Sequence, residues 1–170
     1  MNTKVIITQG EHHVSKDPEV IISTILGSCV ACCLWDPLAQ VGGMNHILLA
    51  NSRSSAGSPD VNGVNAMEVL INDMLKLGAS RSRLKAKAFG GAQMISGLSD
   101  IGPANCAFAR TFLEREGIEC VSESLGGTKA RHILFTPTTG TAMMKQRKQE
   151  VLEPEITAIP VQRGNDLELF

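Results

Sequence analysis

The sequence lacks the features of a membrane-spanning, secreted or nucleic-acid-binding protein. None of its apolar runs approaches the roughly 20 residues that a membrane-spanning helix needs. Near the start the longest apolar run is Val5–Ile7, which is too short for a secretory signal. The formal net charge is −1 over 170 residues, which argues against nucleic acid or an anionic membrane as a partner. We therefore expect a cytoplasmic protein that does not insert into a membrane.

The sequence also lacks the cysteine pattern of a disulfide framework or a zinc ribbon. It has five cysteines, and three of them lie close together at Cys29, Cys32 and Cys33. A zinc ribbon needs a second Cys-x-x-Cys pair, which is missing. If this segment is a strand, Cys29 and Cys32 point to opposite faces, which argues against a redox pair. We expect no metal and no cofactor, and we interpret Cys32 and Cys33 as small buried residues.

The hydrophobic pattern predicts a layered α+β domain rather than a regular doubly wound sheet. Residues 65–77 form an apolar stripe of helical period that ends at Gly78, and residues 103–116 begin with a proline and end before a glycine. β-Branched and apolar stretches predict strands at residues 5–8, 20–24, 30–35, 43–49, 84–89, 118–121, 132–135 and 141–144.

Two segments differ in composition from this domain. Residues 51–62 are rich in Ser, Gly, Asn and Pro, which predicts a mobile loop. Residues 1–145 are expected to form the domain, and residues 146–170 to form a polar tail. The tail is either flexible or a docking segment that becomes ordered on a partner, and the sequence leaves both interpretations open.

Cys29 and His46 are the strongest candidates for chemistry. Cys29 follows Gly27 and Ser28, and His46 comes 17 positions later, also after a glycine-containing turn. A thiol and an imidazole on neighbouring strands can act as nucleophile and base. A glycine beside the thiol lets a substrate approach main-chain N–H groups, which can bind an oxyanion. Taken alone, the same two residues also fit a core cysteine and a structural histidine.

Six short motifs occur in order between residues 26 and 131, within a stretch of similarity that covers about residues 4–145. They are Leu26-Gly27-Ser28-Cys29-Val30, Trp35-Asp36-Pro37, Gly42-Gly43-Met44-Asn45-His46, Lys87-Ala88-Phe89-Gly90-Gly91-Ala92, Ile101-Gly102 with Asn105, and Leu125-Gly126-Gly127 with Arg131. This series resembles the chemoreceptor glutamine deamidase family, CheD. The resemblance implies a β-sandwich-like mixed core flanked by helices, similar to a bacterial toxin deamidase domain. That fold agrees with the α+β prediction made from the hydrophobic pattern.

The resemblance also implies an activity. The family comprises cytoplasmic enzymes that hydrolyse glutamine side-chain amides to glutamate on methyl-accepting chemotaxis receptors, through a cysteine thioester. Some members hydrolyse receptor glutamyl methyl esters as well, and some bind the chemotaxis phosphatase CheC. Two other functions stay open: a binding regulator of such a phosphatase, and a cysteine hydrolase or methylesterase that acts on another protein.

By the same resemblance, Cys29 is the nucleophile and His46 is the proton shuttle, close enough to lower the pKa of the thiol. The family orients its histidine with a threonine six residues before the cysteine, a position that Ser23 occupies here. We favour Ser23 because its hydroxyl can make the same hydrogen bond, whereas Thr24 would place a hydroxyl on the opposite face of the strand. The predicted oxyanion and pocket residues are Gly27, Ser28, Gly90 and Gly91.

Overall fold

The computed structural model describes residues 2–49, 60–94, 100–147 and 167–170. These ranges contain ten strands, two α-helices and one short 3-10 helix (Arg81–Arg83). The strands are β1 (Thr3–Ile6), β2 (His12–Ser15), β3 (Val20–Leu26), β4 (Val30–Asp36), β5 (Val41–Asn45), β6 (Lys85–Gly90), β7 (Glu119–Leu125), β8 (Ala130–Thr136), β9 (Thr141–Arg147) and β10 (Glu168–Leu169). The helices are α1 (Asp60–Lys76) and α2 (Ile101–Arg115). Neither helix is long and apolar enough to cross a membrane in the part of the chain that is described.

The strands form two five-stranded sheets that pack face to face. Sheet A has the order β1-β3-β8-β9-β10, and sheet B has the order β2-β5-β4-β6-β7. Alternate residues of each strand point into the space between the sheets, as strand geometry requires. The apolar core there includes Ile22, Leu26, Ile133, Phe135 and Met144 from sheet A, and Ala31, Cys33, Trp35, Met44 and Phe89 from sheet B.

Both helices cover the other face of sheet B. A second core lies there, built from residues of β4 and β6 and from the apolar stripes of the helices: Val30, Cys32, Leu34, Ala86, Met67, Leu70, Ile71, Met74, Phe108 and Phe112. The molecule therefore has three layers, with sheet A outside, sheet B in the middle and the helices on the far side. The predicted α+β fold, a β-sandwich-like core flanked by helices, is confirmed.

Helix α1 matches its predicted stripe but begins earlier than the sequence suggested. Met67, Leu70, Ile71 and Met74 are completely buried against sheet B. After the last turn Gly78 has a φ of 108°, the left-handed conformation that favours glycine at this position. Residues 60–62, predicted as loop, are the first turn of the helix, whereas residues 51–59 lie outside the described ranges.

The predicted tail is described only at its two ends. Gln146 and Arg147 complete β9, and β10 then pairs with β9 in antiparallel register, with Leu169 opposite Met143. The ring of Phe170 lies edge-on to Phe89, with 5.5 Å between the centroids. Residues 148–166 lie outside the described ranges, so the boundary at residue 145 and the flexible tail stay predictions.

Candidate active site

Cys29 comes directly before β4 and His46 directly after β5, so both lie at the same end of two neighbouring strands and face the same side of sheet B. Val30 and Ile47 exchange two main-chain hydrogen bonds, of 3.0 and 2.7 Å, as an antiparallel pair. This register continues the β4–β5 pairing, in which Cys33 lies opposite Met44. It places Ala31 opposite His46, so Cys29 and His46 are diagonal neighbours, with Cα atoms expected about 7 Å apart. Cys29 is 9% exposed and His46 is 8% exposed.

Thr24 on β3 determines which nitrogen of His46 carries the proton. Its hydroxyl donates a hydrogen bond of 2.8 Å to the carbonyl of Ile7. The same oxygen lies 2.7 Å from His46 Nδ1. Because the hydroxyl proton is directed at Ile7, the oxygen must accept from Nδ1–H. The neutral ring is therefore the Nδ1–H tautomer, and its basic lone pair is on Nε2.

The prediction that Ser23 makes this contact is wrong. Its hydroxyl lies 2.9 Å from Nε2 of His132, on the outer face of sheet A. The reason is strand alternation: Ile22 and Leu26 point into the core between the sheets, so Thr24 does too and Ser23 points away. Thr24 lies two positions from both Ile22 and Leu26, so the alternation of the strand assigns it to the core face. That signal is present in the sequence and could have identified Thr24.

Burial determines the protonation state of both groups. Desolvation raises the pKa of the Cys29 thiol to about 11. Desolvation also lowers the pKa of His46 to about 4, against the opposing effect of the Glu11 carboxylate. The free protein therefore holds a neutral thiol beside a neutral imidazole at pH 7. The expectation that His46 lowers the pKa of Cys29 does not hold in this state.

The loop that carries Cys29 is anchored through three consecutive carbonyl groups. The Gly27 carbonyl accepts from Ala92 N–H at 3.0 Å, and the Cys29 carbonyl accepts from Gly91 N–H at 2.8 Å. Between them the Ser28 carbonyl accepts from Nδ2 of Asn105 at 2.7 Å. We call these three hydrogen bonds the carbonyl anchors. They hold the backbone on both sides of the thiol.

Gly90 and Gly91 serve this loop through close packing. Gly90 has a φ of 111°, and a Cβ on it would lie 2.2 Å from the Cys29 carbonyl oxygen. Gly91 has a φ of 70°, and a Cβ on it would lie 2.1 Å from Cys106 Sγ. The N–H of Gly91 already donates to Cys29, so it is not a free oxyanion donor. Gly90 thus lets the end of β6 approach the loop, and Gly91 lets the backbone after β6 approach Cys106 on α2.

The main-chain N–H groups of Ser28 and Cys29 are the candidate oxyanion donors beside the thiol. Neither donates a main-chain hydrogen bond to any residue that the structure describes. Gly27 and Ser28 are half-buried. Together with the thiol and the Nε2 lone pair, these groups form the parts needed for acyl transfer at a carbonyl carbon.

The other cysteines of this region stand apart from the site. Cys32 points to the helix side of sheet B, in a different core from Cys29. All five thiols are free. Within the described ranges, no group of three or more His, Cys, Asp or Glu side chains is placed to hold a metal ion.

The sequence comparisons identify the family. A family model described as CheD chemotactic sensory transduction matches residues 48–146. A relative from Caulobacter sp. (strain K31), named probable chemoreceptor glutamine deamidase CheD, is 48% identical over 98% of this chain and 93% of its own length. A protein of the same name from Acidiphilium cryptum is 54% identical over 82% of this chain and 75% of its own length.

Solved structures add only a weak similarity. The Bacillus licheniformis hypothetical protein YfiH overlaps 66% of this chain and 49% of its own, with 13% identity and a TM-score of 0.44, which is too low to bear on function. The sequence relatives, in contrast, are similar over nearly the whole chain. The chain therefore belongs to the CheD family.

Proposed function

We propose that this protein is a cysteine-dependent protein-glutamine deamidase that acts on methyl-accepting chemotaxis receptors in the cytoplasm. One observation carries the proposal: a buried Cys29 lies diagonal to a histidine whose tautomer leaves Nε2 basic, in a chain 48% identical to proteins named probable chemoreceptor glutamine deamidases. The receptor substrate comes from the names of those relatives. A reducing cytoplasm keeps such a thiol free.

In the first half-reaction, Cys29 Sγ attacks the side-chain amide carbon of a glutamine. Nε2 of His46 takes the thiol proton as the S–C bond forms, so a thiolate does not have to exist beforehand. The amide oxygen becomes an oxyanion, which the N–H groups of Ser28 and Cys29 stabilise. The imidazolium then gives the proton to the amide nitrogen, the C–N bond breaks, and ammonia leaves a thioester on Cys29.

In the second half-reaction, water replaces ammonia. Nε2 of His46 removes a proton from the water as its oxygen attacks the thioester carbon. The same N–H groups stabilise the second oxyanion. The C–S bond breaks, the imidazolium returns its proton to sulfur, and the glutamine has become a glutamate. Throughout, Thr24 keeps the Nδ1–H of His46 bonded and so favours the basic form of Nε2.

The test is the intact mass of a receptor cytoplasmic fragment, followed by peptide mapping. Wild-type protein is expected to add about one dalton at particular glutamines, because hydrolysis replaces an amide nitrogen by oxygen without breaking the backbone. Cys29→Ala should add nothing. Cys33→Ala is the matched control, because it removes a completely buried thiol from the same face of sheet B, four residues farther along the chain.

The outcomes separate the candidate functions. If wild type and Cys33→Ala modify the receptor and Cys29→Ala does not, the protein is a thiol-dependent deamidase. A wild-type protein that is folded but leaves every receptor fragment unchanged would contradict the proposal. A CheC-type phosphatase partner stays a prediction, which co-purification with Cys29→Ala would test independently of catalysis.

A further inference from the structure

Asn105 is a completely buried polar side chain that contacts both halves of the candidate site. It lies in the first turns of α2 and is 0% exposed. Its Nδ2 donates to the Ser28 carbonyl at 2.7 Å, and its Oδ1 accepts from Leu49 N–H at 3.1 Å. Ser28 precedes the nucleophile, and Leu49 lies three residues after His46. One amide therefore joins the thiol-bearing loop to the chain that carries the base.

The approach of α2 makes this bridge possible. A Cβ on Gly102, in the first turn of the helix, would lie 2.4 Å from the carbonyl oxygen of Ala92. The helix therefore packs directly on the backbone that provides the other two carbonyl anchors. From this distance a side chain as short as asparagine reaches Ser28.

The Ser28 carbonyl and the Cys29 N–H belong to the same peptide unit. A trans peptide is planar, so its C=O and N–H point in opposite directions. Because Asn105 holds the carbonyl toward α2, the Cys29 N–H is held pointing away from the helix. The anchors on Gly27 and Cys29 fix the neighbouring peptide units in the same way. Among the three anchors, Asn105 provides the single side chain.

We propose that Asn105 is a positioning residue that holds the Ser28–Cys29 peptide so that the Cys29 N–H binds the oxyanion. This inference rests on the proposed function. The residue type follows from the contacts, since the position needs a donor for Ser28 and an acceptor for Leu49 at once. An ionised aspartate offers no donor to the carbonyl, and alanine offers neither group.

The experiment compares two reactions of Cys29 that differ in their need for an oxyanion site. Acylation by p-nitrophenyl acetate passes through an oxyanion, whereas alkylation by iodoacetamide displaces iodide at carbon and does not. Both rates are measured for wild type, Asn105→Asp and Asn105→Ala. All proteins carry Cys120→Ser, because Cys120 is an exposed free thiol that would also react. Receptor deamidation is measured in parallel.

We expect the acylation rate and the deamidation kcat to fall by about 100-fold in both variants, which is the usual effect of losing one oxyanion donor. The alkylation rate should stay within about threefold of wild type, because the thiol and His46 are unchanged. The control is Phe112→Leu, which weakens the packing of α2 at a residue outside the site. It should lower the melting temperature without changing the ratio of the two rates.

Two results would overturn the inference: equal losses in acylation and alkylation, or no loss in either reaction with folded variants. The first would mean that Asn105 supports the whole loop rather than the donor. A failure of the proposed function would give a result that can be told apart from these two. A wild-type protein that is acylated at Cys29 but deamidates no receptor fragment would contradict the substrate, while the ratio of acylation to alkylation would still test Asn105.

Discussion

Thr24 gives the sharpest test of how the site works. Its hydroxyl is the link between the Ile7 carbonyl and His46 Nδ1, at 2.8 and 2.7 Å. Thr24→Val keeps the shape of the side chain and removes the hydroxyl. The buried carbonyl of Ile7 and the buried N–H of His46 then both lose this partner, and no cavity forms. The effect can therefore be assigned to hydrogen bonding rather than to packing.

The magnitude follows from the two lost contacts. A buried polar group left without a partner costs about 1–3 kcal/mol, so with two such groups the free energy of unfolding should fall by about 2–6 kcal/mol. For a chain of this size the melting temperature should fall by about 2–4 °C for each kcal/mol. Loss of the Nδ1 hydrogen bond also removes the preference for the tautomer with a basic Nε2. We expect kcat to fall about 10- to 100-fold with KM nearly unchanged.

The assay is deamidation of a receptor fragment, with thermal unfolding measured on the same samples. Thr24→Ser keeps the hydroxyl and should retain kcat within about threefold, losing only the methyl group that restricts the rotamer. Ser23→Ala is the matched control, because it removes the neighbouring hydroxyl, which contacts His132 on the outer face of sheet A. It should change kcat by less than about twofold.

Two results would refute this account of Thr24. The first is a Thr24→Val protein with wild-type kcat below its melting temperature, which would mean that the tautomer needs no hydroxyl. The second is a Ser23→Ala protein that is as stable as wild type and has lost kcat tenfold or more. That outcome would restore the orienting role that the sequence pattern gave to Ser23.

Three further predictions concern pH and the loop packing. Because burial lowers the pKa of His46 to about 4 and raises that of Cys29 to about 11, kcat/KM should be flat from about pH 5 to pH 10 and fall as His46 becomes protonated. An acidic limb near pH 6.5 would contradict this assignment. The neutral, buried His46 should contribute its full share of stability above pH 6.5, and this share should be lost as the pH falls toward 4. Between these two pH values only the unfolded chain binds a proton at this histidine. Urea unfolding measured at a series of acidic pH values tests this. Gly90→Ala, whose Cβ would lie 2.2 Å from the Cys29 carbonyl oxygen, should lower the free energy of unfolding by about 3 kcal/mol or more. Gly117→Ala is the control, because Gly117 has a φ of 69° but a Cβ there would have nothing within 4 Å, so it should lower the free energy of unfolding by only about 1 kcal/mol. Equal losses for the two variants in urea unfolding would show that the Cys29 loop moves to accommodate the added methyl group.

The sequence pattern predicts secondary structure best where a helix or strand has a large apolar face to bury. The α1 stripe and the run through β4 are of this kind. Strand β2 was missed because His12–Ser15 has little apolar character, and the polar part of β7 was missed for the same reason. Both are edge strands, whose position depends more on backbone hydrogen bonds than on burial.

Long-range pairing is the part of the fold that no local pattern contains. Strand β3 pairs with β8, more than a hundred residues later, and not with β4 beside it in the chain. That pairing places Thr24 in the core opposite a histidine of the other sheet. Asn105 shows the same limitation. It was visible as part of a family motif, but its contacts with Ser28 and Leu49 join segments that are 77 and 56 positions away.

The protonation state of the site also depends on these long-range contacts. A cysteine and a histidine that are close in sequence suggest a thiolate–imidazolium pair, but enclosure between the two sheets disfavours both charged forms. The pKa values of about 11 and about 4 mean that the proton stays on sulfur in the free protein. Proton transfer must therefore accompany attack on a substrate whose oxyanion is stabilised at the same moment. A thiol of this kind reacts slowly with small electrophiles at pH 7, and its attack on a carbonyl carbon depends on the donors that the carbonyl anchors hold in place.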